Sequence, residues 1–181
     1  MVIISGPSTV GKNPLIYKIC DELDFEYVVP CTTRKRRTEE VDGKDYIFLT
    51  KEEFQLKITK NSILEWDYCL DNYYGFAFDF SKSNDKNITH ALSRMALRIK
   101  AKYPSDITTI FLMPDNISRI FENLSNIYTG DMLILRKSLV EEEIYHSVMF
   151  DKVILCPSNP ANKLDITELH KILIKPNKNS I

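Results

Sequence analysis

The chain opens MVIISGPSTVGKN. Three β-branched residues, Val2, Ile3 and Ile4, run into Gly6, four intervening residues, Gly11 and Lys12. A strand that breaks at once into this glycine spacing leaves few folds open. Backbone N–H groups around Gly6, Ser8 and Gly11 converge on phosphate oxygens, the next helix points its positive end there, and Lys12 adds a full charge. The pattern ordinarily closes with Ser or Thr, whose hydroxyl holds Mg²⁺. Here Asn13 stands at that position, followed by Pro14.

The 181 residues, 44% apolar, suffice for one domain with a real core. A net charge of −1 excludes the basic surplus of a nucleic-acid binder. Cys20, Cys31, Cys69 and Cys156 form no C-x-x-C pair. That speaks against a zinc site or disulfide framework and for reduced thiols in the cytoplasm. The apolar start is too short for a membrane span and lacks a basic leader. No partner in a membrane is expected.

Periodicity predicts a strand over 2–5, a helix over 14–23 with Leu15, Ile19 and Leu23 on one face, and a short strand at 27–29. A strand follows at 46–49, and Thr50 with Glu53 reads as a capping box opening a helix. Residues 63–70 and 73–78 read as two strands joined by Asp71 and Asn72. After a polar break at 81–87 come a helix at 91–102, a buried strand at 107–112 and a helix at 116–124. A long helix at 131–147, a strand at 153–155 and a helix at 165–174 complete the chain. This alternation, with a β-rich insert over 31–80, implies a parallel sheet carrying a small antiparallel lobe.

Arg34 and Arg37 are three residues apart on one loop, so two guanidinium forks can converge on one phosphate. Tyr46 and Tyr74 offer phenol donors to complete such a cradle. A surface charge run beside core tyrosines is the bland alternative; the ordered set of motifs argues against it. In order these are TTRKRR at 32–37, EEVDGKDYIF at 39–48, Glu65-Trp66, and Asn72-Tyr73-Tyr74-Gly75. Together with the phosphate loop, their order and spacing make the chain resemble the guanylate kinase family over nearly its whole length. The resemblance implies an α/β fold: a P-loop kinase-like parallel sheet flanked by helices, a small β-rich GMP-binding lobe and a helical lid. It implies a single domain over 1–181, with a core of 1–30 and 81–181, a lobe of 31–80 and a lid at about 120–135. It further implies ATP as co-substrate, Mg²⁺ as cofactor, Lys12 and Arg136 as catalytic residues, and Arg34, Arg37, Tyr46 and Tyr74 on the GMP phosphate. Glu65 then accepts from the guanine N1–H and 2-amino group, the right chemistry for two adjacent donors.

The departures from that family gather on the ATP side. Asn13 offers magnesium a neutral amide oxygen in place of a hydroxyl, Pro14 has no N–H, and Thr9 replaces a glycine. The family's Asp-rich strand falls near 89–95, where both aspartates are lost. The lid stretch 124–131 has no arginine, and Glu141 stands where a basic residue belongs. On the GMP side, Pro30 and Phe76 replace hydroxyl residues. Two readings stand: an ATP-dependent kinase of GMP or a related purine monophosphate with impaired catalysis, or a non-catalytic module that binds GMP, another phosphorylated small molecule or a phosphorylated protein through the same cradle. A sugar-phosphate kinase of similar fold is a weaker third, opposed by Glu65.

Overall fold

The computed structural model describes residues 1–157 together with Leu169, Lys171 and Leu173. In chain order the elements are β1 (Val2–Ser5), α1 (Lys12–Leu23), β2 (Glu26–Tyr27), β3 (Cys31–Thr32), β4 (Ile47–Phe48) and α2 (Lys51–Thr59). Then come β5 (Glu65–Cys69), β6 (Asn72–Phe76), β7 (Asn87–His90), α3 (Ser93–Lys102), β8 (Thr108–Pro114), α4 (Ile117–Ser125), α5 (Gly130–His146) and β9 (Lys152–Cys156).

The main sheet has the order β2-β7-β1-β8-β9, every described pairing parallel. Its strands alternate side chains between two apolar layers, as burial on both faces requires. Ile3 packs with Met95, Ala96, Ile99 and Phe111 on one side. Val2 and Ile4 pack with Leu15, Ile16, Ile19 and Ile88 on the other. Ile3 and Ile4 are fully buried, so each contributes about 2–3 kcal/mol through area removed from water. The chain leaves β1 through α1 for β2 at one edge, and α3 later carries it from β7 past β1 to β8 on the other side. This is the point in a parallel sheet where loops splay apart at the strand C-termini and leave a crevice.

The second sheet, β4-β3-β6-β5, carries the lobe, with β3 antiparallel to β6 and β6 antiparallel to β5. Its hairpin turns one residue earlier than expected. Leu70 and Asp71 both take left-handed backbone, at φ 48° and 62°, and Asn72 already pairs with Cys69. Two left-handed residues match the twist of a tight hairpin. The capping box on α2 is present: Glu53 N–H donates to Thr50 Oγ1 at 3.1 Å, and Thr50 N–H to Glu53 Oε2 at 2.8 Å.

Three elements differ from expectation. Strand β7 begins inside the expected polar break, where Asn87-Ile88-Thr89-His90 shows no apolar alternation; its polar groups are satisfied by neighbouring strands and the lobe, as where Thr89 Oγ1 donates to Val28 O at 2.6 Å and His90 Nε2 lies 2.9 Å from Tyr46 Oη. The two-residue β3 is too short for a periodic signal. Helix α1 starts at Lys12 rather than 14, because Pro14 sits in the first turn, where no intrahelical N–H bond is due. Its first such bond is Leu15 N–H to Gly11 O at 3.3 Å. Of the expected helix at 165–174, Leu169, Lys171 and Leu173 are helical, and Leu169 packs under the Ile4 layer. The remainder lies outside the described residues. Among the described residues, no helix is long and apolar enough to cross a membrane.

Candidate functional site

A cavity of about 370 Å³ lies at the crevice beside β1. The phosphate loop and the start of α1 form one wall, the lobe segment around Arg34 to Tyr46 another, and α5 a third.

The loop's shape follows from its residues. Gly6 has φ 146°, and a Cβ there would meet Leu112 O at 2.7 Å, so the end of β8 leaves no room for a side chain. Thr9 is held at φ 71°. That is the left-handed region where a β-branched residue is strained by about 1–2 kcal/mol, as expected where the pattern asks for glycine. Gly11 is the left-handed N-cap of α1, with no side-chain cap, leaving the first N–H groups of the helix open. Lys12 folds back over the loop, donating to Gly6 O at 2.5 Å and Pro7 O at 2.9 Å. Burial lowers its pKa, and the nearby Glu143 partly offsets this.

Asn13 uses its amide nitrogen, donating to Asp45 Oδ1 at 2.8 Å. Tyr17 donates to the same oxygen at 2.8 Å, and Val41 N–H to Asp45 Oδ2 at 2.8 Å. Among the described residues, no group of three or more His, Cys, Asp and Glu side chains could hold a metal ion. With its amide nitrogen on Asp45, Asn13 can present only its neutral amide oxygen to a cation at the end of the loop.

On the lobe wall, Arg34 and Arg37 are brought together by Glu40, which the sequence did not single out. Arg34 forms a fork with Glu40, at 3.0 and 2.7 Å. Arg37 N–H donates to Glu40 Oε2 at 2.8 Å. Burial would raise the Glu40 carboxyl, but these bonds and charges hold it below its ordinary value. Arg34 also gives a proton to Lys35 O at 2.8 Å. Of its five donors, Nε–H and one Nη2–H remain. Arg37 spends one on Tyr128 Oη at 3.1 Å. An acidic residue three after Arg37 was the available signal for Glu40.

Tyr46 and Tyr74 line the same cavity, and the Arg34 guanidinium lies 5.4 Å from the Tyr46 ring centre. Arg136 on α5 also lines it, buried, with its guanidinium 4.8 Å from the Tyr128 ring centre. Its Nε has no hydrogen-bond partner among the described residues. Glu143, seven residues along α5, receives Ser93 N–H at 3.4 Å, and burial pushes its carboxyl up to about 7.

Glu65, expected at the same site, is placed elsewhere. It does not line the cavity; its Oε1 accepts from Lys102 at 2.8 Å. Beside it on the same face of β5, Asp67 takes Arg94 Nε at 2.7 Å. Arg94, Arg98 and Lys102 form one stripe of α3, which ties the lobe's edge strand to the core.

A family model described as guanylate kinase matches residues 1–156. Curated guanylate kinases are similar. That of Lactiplantibacillus plantarum is 34% identical over 147 residues, covering 78% of this chain and 71% of the relative. That of Mycoplasma pneumoniae is 32% identical, covering 78% and 62%. That of Streptococcus thermophilus is 39% identical over 130 residues, covering 68% and 62%. The chain thus spans under two thirds of the length of the last two. The solved guanylate kinase from Anaplasma phagocytophilum shares the fold, with a TM-score of 0.72 at 23% identity over 96% of this chain and 83% of that one. The match covers the phosphate loop, both cradle arginines and the helix that carries Arg136, and so this chain belongs to the guanylate kinase family.

Proposed function

We propose that this protein binds GMP at Arg34, Arg37, Tyr46 and Tyr74 and transfers to it the terminal phosphoryl group of ATP held at the loop around Gly6, Ser8, Gly11, Lys12 and Asn13. The observation that carries the reading is that one cavity joins Lys12 to Arg34, Arg37, Tyr46 and Arg136. The reaction needs little covalent help from the protein; it needs two phosphates in line and positive charge around the moving group. Lys12 would leave the loop carbonyls for the ATP phosphates, and Arg136, which lines the same cavity, would place its positive charge beside the transferring group. Magnesium, when bound, would neutralise phosphate charge, with Asn13 at its ligand position. Glu65 would read guanine only after exchanging Lys102 for the base. The division into a core of 1–30 and 81–181, a lobe of 31–80 and a lid at about 120–135 belongs to the same reading, as does a cytoplasmic location.

The donor side supports slow turnover. Pro14 offers no N–H, Thr9 strains the loop, and Asn13, its amide nitrogen held by Asp45, has a neutral oxygen where the pattern has a hydroxyl. A coupled assay of GMP-dependent ADP formation from MgATP, run beside separate titrations of GMP and MgATP, tests the reading. Measurable GMP-dependent turnover is expected. GMP binding with no turnover at high MgATP would instead favour a module that only binds its phospho-ligand.

A further inference from the structure

His90, at the C-terminal end of β7, is buried and lies between two tyrosine hydroxyls. Its Nδ1 is 2.9 Å from Tyr27 Oη and its Nε2 is 2.9 Å from Tyr46 Oη. Tyr27 stacks on the imidazole with centroids 6.0 Å apart, and Tyr46 meets it edge-on at 5.1 Å. The ring is thereby pinned between the core sheet and the lobe. Tyr46 and His90 both face the cavity.

The number of protons limits what this chain of groups can do. A neutral imidazole has one N–H, and each phenol has one O–H. If His90 carries its proton on Nδ1, it donates to Tyr27, Tyr27 passes its own to Asp45 O at 3.3 Å, and Tyr46 must donate to Nε2. Tyr46 then has no proton left for an anion. If the proton is on Nε2, Tyr27 donates to Nδ1, His90 donates to Tyr46, and the Tyr46 hydroxyl proton is free for the cavity. Both arrangements use the 2.9 Å contact between Tyr27 and Nδ1; the second gives up the longer one to Asp45 O, and it alone lets Tyr46 donate to a phosphate oxygen, which can only accept.

We infer that His90 is a positioning residue which, as the neutral Nε2–H tautomer fixed by Tyr27, turns the Tyr46 hydroxyl proton toward the phosphate of the bound nucleoside monophosphate. This rests on the GMP-binding reading above. A charged imidazole would also donate to Tyr46, but it could not accept from Tyr27. Burial, with help from the Lys12 charge, holds the ring neutral by lowering its pKa to about 3. The arrangement makes the acceptor cradle depend on a residue of the core sheet, 44 positions away from the tyrosine it serves.

Two measurements test it. Nitrogen NMR of the labelled imidazoles, with His90 assigned through His90→Gln, reads the tautomer in the GMP complex directly. Protonated Nε2 is expected; protonated Nδ1 overturns the inference. The second is a double-mutant cycle read as GMP affinity by calorimetry. Tyr46→Phe should weaken GMP about 10-fold or more, since it removes one hydrogen bond to a charged group. Tyr27→Phe, which removes no group from the cavity, should weaken it about 3-fold or more in the wild-type background and by less than about 2-fold beside Tyr46→Phe. Equal losses in both backgrounds would mean that Tyr27 acts by general packing, and the inference fails. If Tyr46→Phe itself leaves GMP affinity unchanged, the phosphate cradle is misplaced and the inference falls with it. A loss in Tyr46→Phe alone retains the cradle and removes only the role of His90.

Discussion

Asn13 Nδ2 donates to Asp45 Oδ1 at 2.8 Å, joining the last residue of the phosphate loop to the lobe that carries the arginine cradle. Tyr17, one turn along α1, donates to the same oxygen, and the Lys44 ammonium lies 5.0 Å from the Tyr17 ring centre. The donor and acceptor sides of the cavity therefore share a clamp. Its bonds and charges keep the Asp45 carboxyl below its ordinary value although burial acts the other way.

Replacing Asn13 by Ser and Pro14 by Thr should tighten MgATP binding, because it restores a hydroxyl ligand and a backbone donor. The same change gives up the bond to Asp45, so thermal unfolding should show a loss of about 1 kcal/mol. Turnover should rise only modestly, since residues 124–131, the proposed lid stretch, still lack arginine. No gain in MgATP affinity by calorimetry would place the control of that site in Thr9 and the loop shape.

Arg37→Ala should weaken GMP binding by about 1.5–3 kcal/mol with little change in stability, because among the described residues its side chain hydrogen-bonds only Tyr128, with Glu40 3.8 Å away. Arg34→Ala should cost both. It strips the fork from Glu40, whose side chain is 10% exposed, and a buried carboxylate left with only the Arg37 N–H costs about 1–3 kcal/mol. Adding Glu40→Gln should restore most of the stability and none of the affinity. Titrations with GMP and denaturant melts separate the two effects; wild-type GMP affinity in both single variants would remove the cradle.

Glu143 gives a pH signature. Burial lifts its folded pKa to about 7 from an ordinary 4.5, with Lys12 pulling it back part of the way. Within that window the folded chain keeps a proton that the unfolded chain has released, so this group makes stability fall as pH rises. The penalty is absent below the unfolded value and complete above the folded one. Glu143→Gln keeps an acceptor for Ser93 N–H, so its melting temperature should exceed that of the wild type at about pH 8 and approach it near pH 5. A constant difference across the window would mean that Glu143 ionises normally.

Thr9→Gly should stabilise the fold by about 0.5–1 kcal/mol, the relief of left-handed strain less the extra freedom of glycine in the unfolded chain. Urea unfolding measures it, and a loss of stability would mean that the Thr9 side chain makes a compensating contact.

What the sequence determined by itself is local. The β-branched run, the glycines at 6 and 11 and the Thr50–Glu53 box specify β1, the phosphate loop and α2, because their hydrogen bonds and backbone angles lie within a few residues of one another. Arg34 and Arg37 were legible as a pair for the same reason. The family's motifs then extended the reading to the parallel sheet and its inserted lobe. The partners of side chains far apart in the chain are set by the packing of one element on another. Periodicity marks which face of β5 is buried, but not that α3 covers it, so Glu65 meets Lys102 across 37 positions and not the cavity. Strand β7 hid behind polar residues whose needs are met by neighbouring strands and lobe. His90 reads in sequence as a lone polar residue; only the packing of lobe on core sets it between Tyr27, 63 positions away, and Tyr46. A residue's chemistry is written in its type, but the group that uses it is chosen by the elements that pack against it.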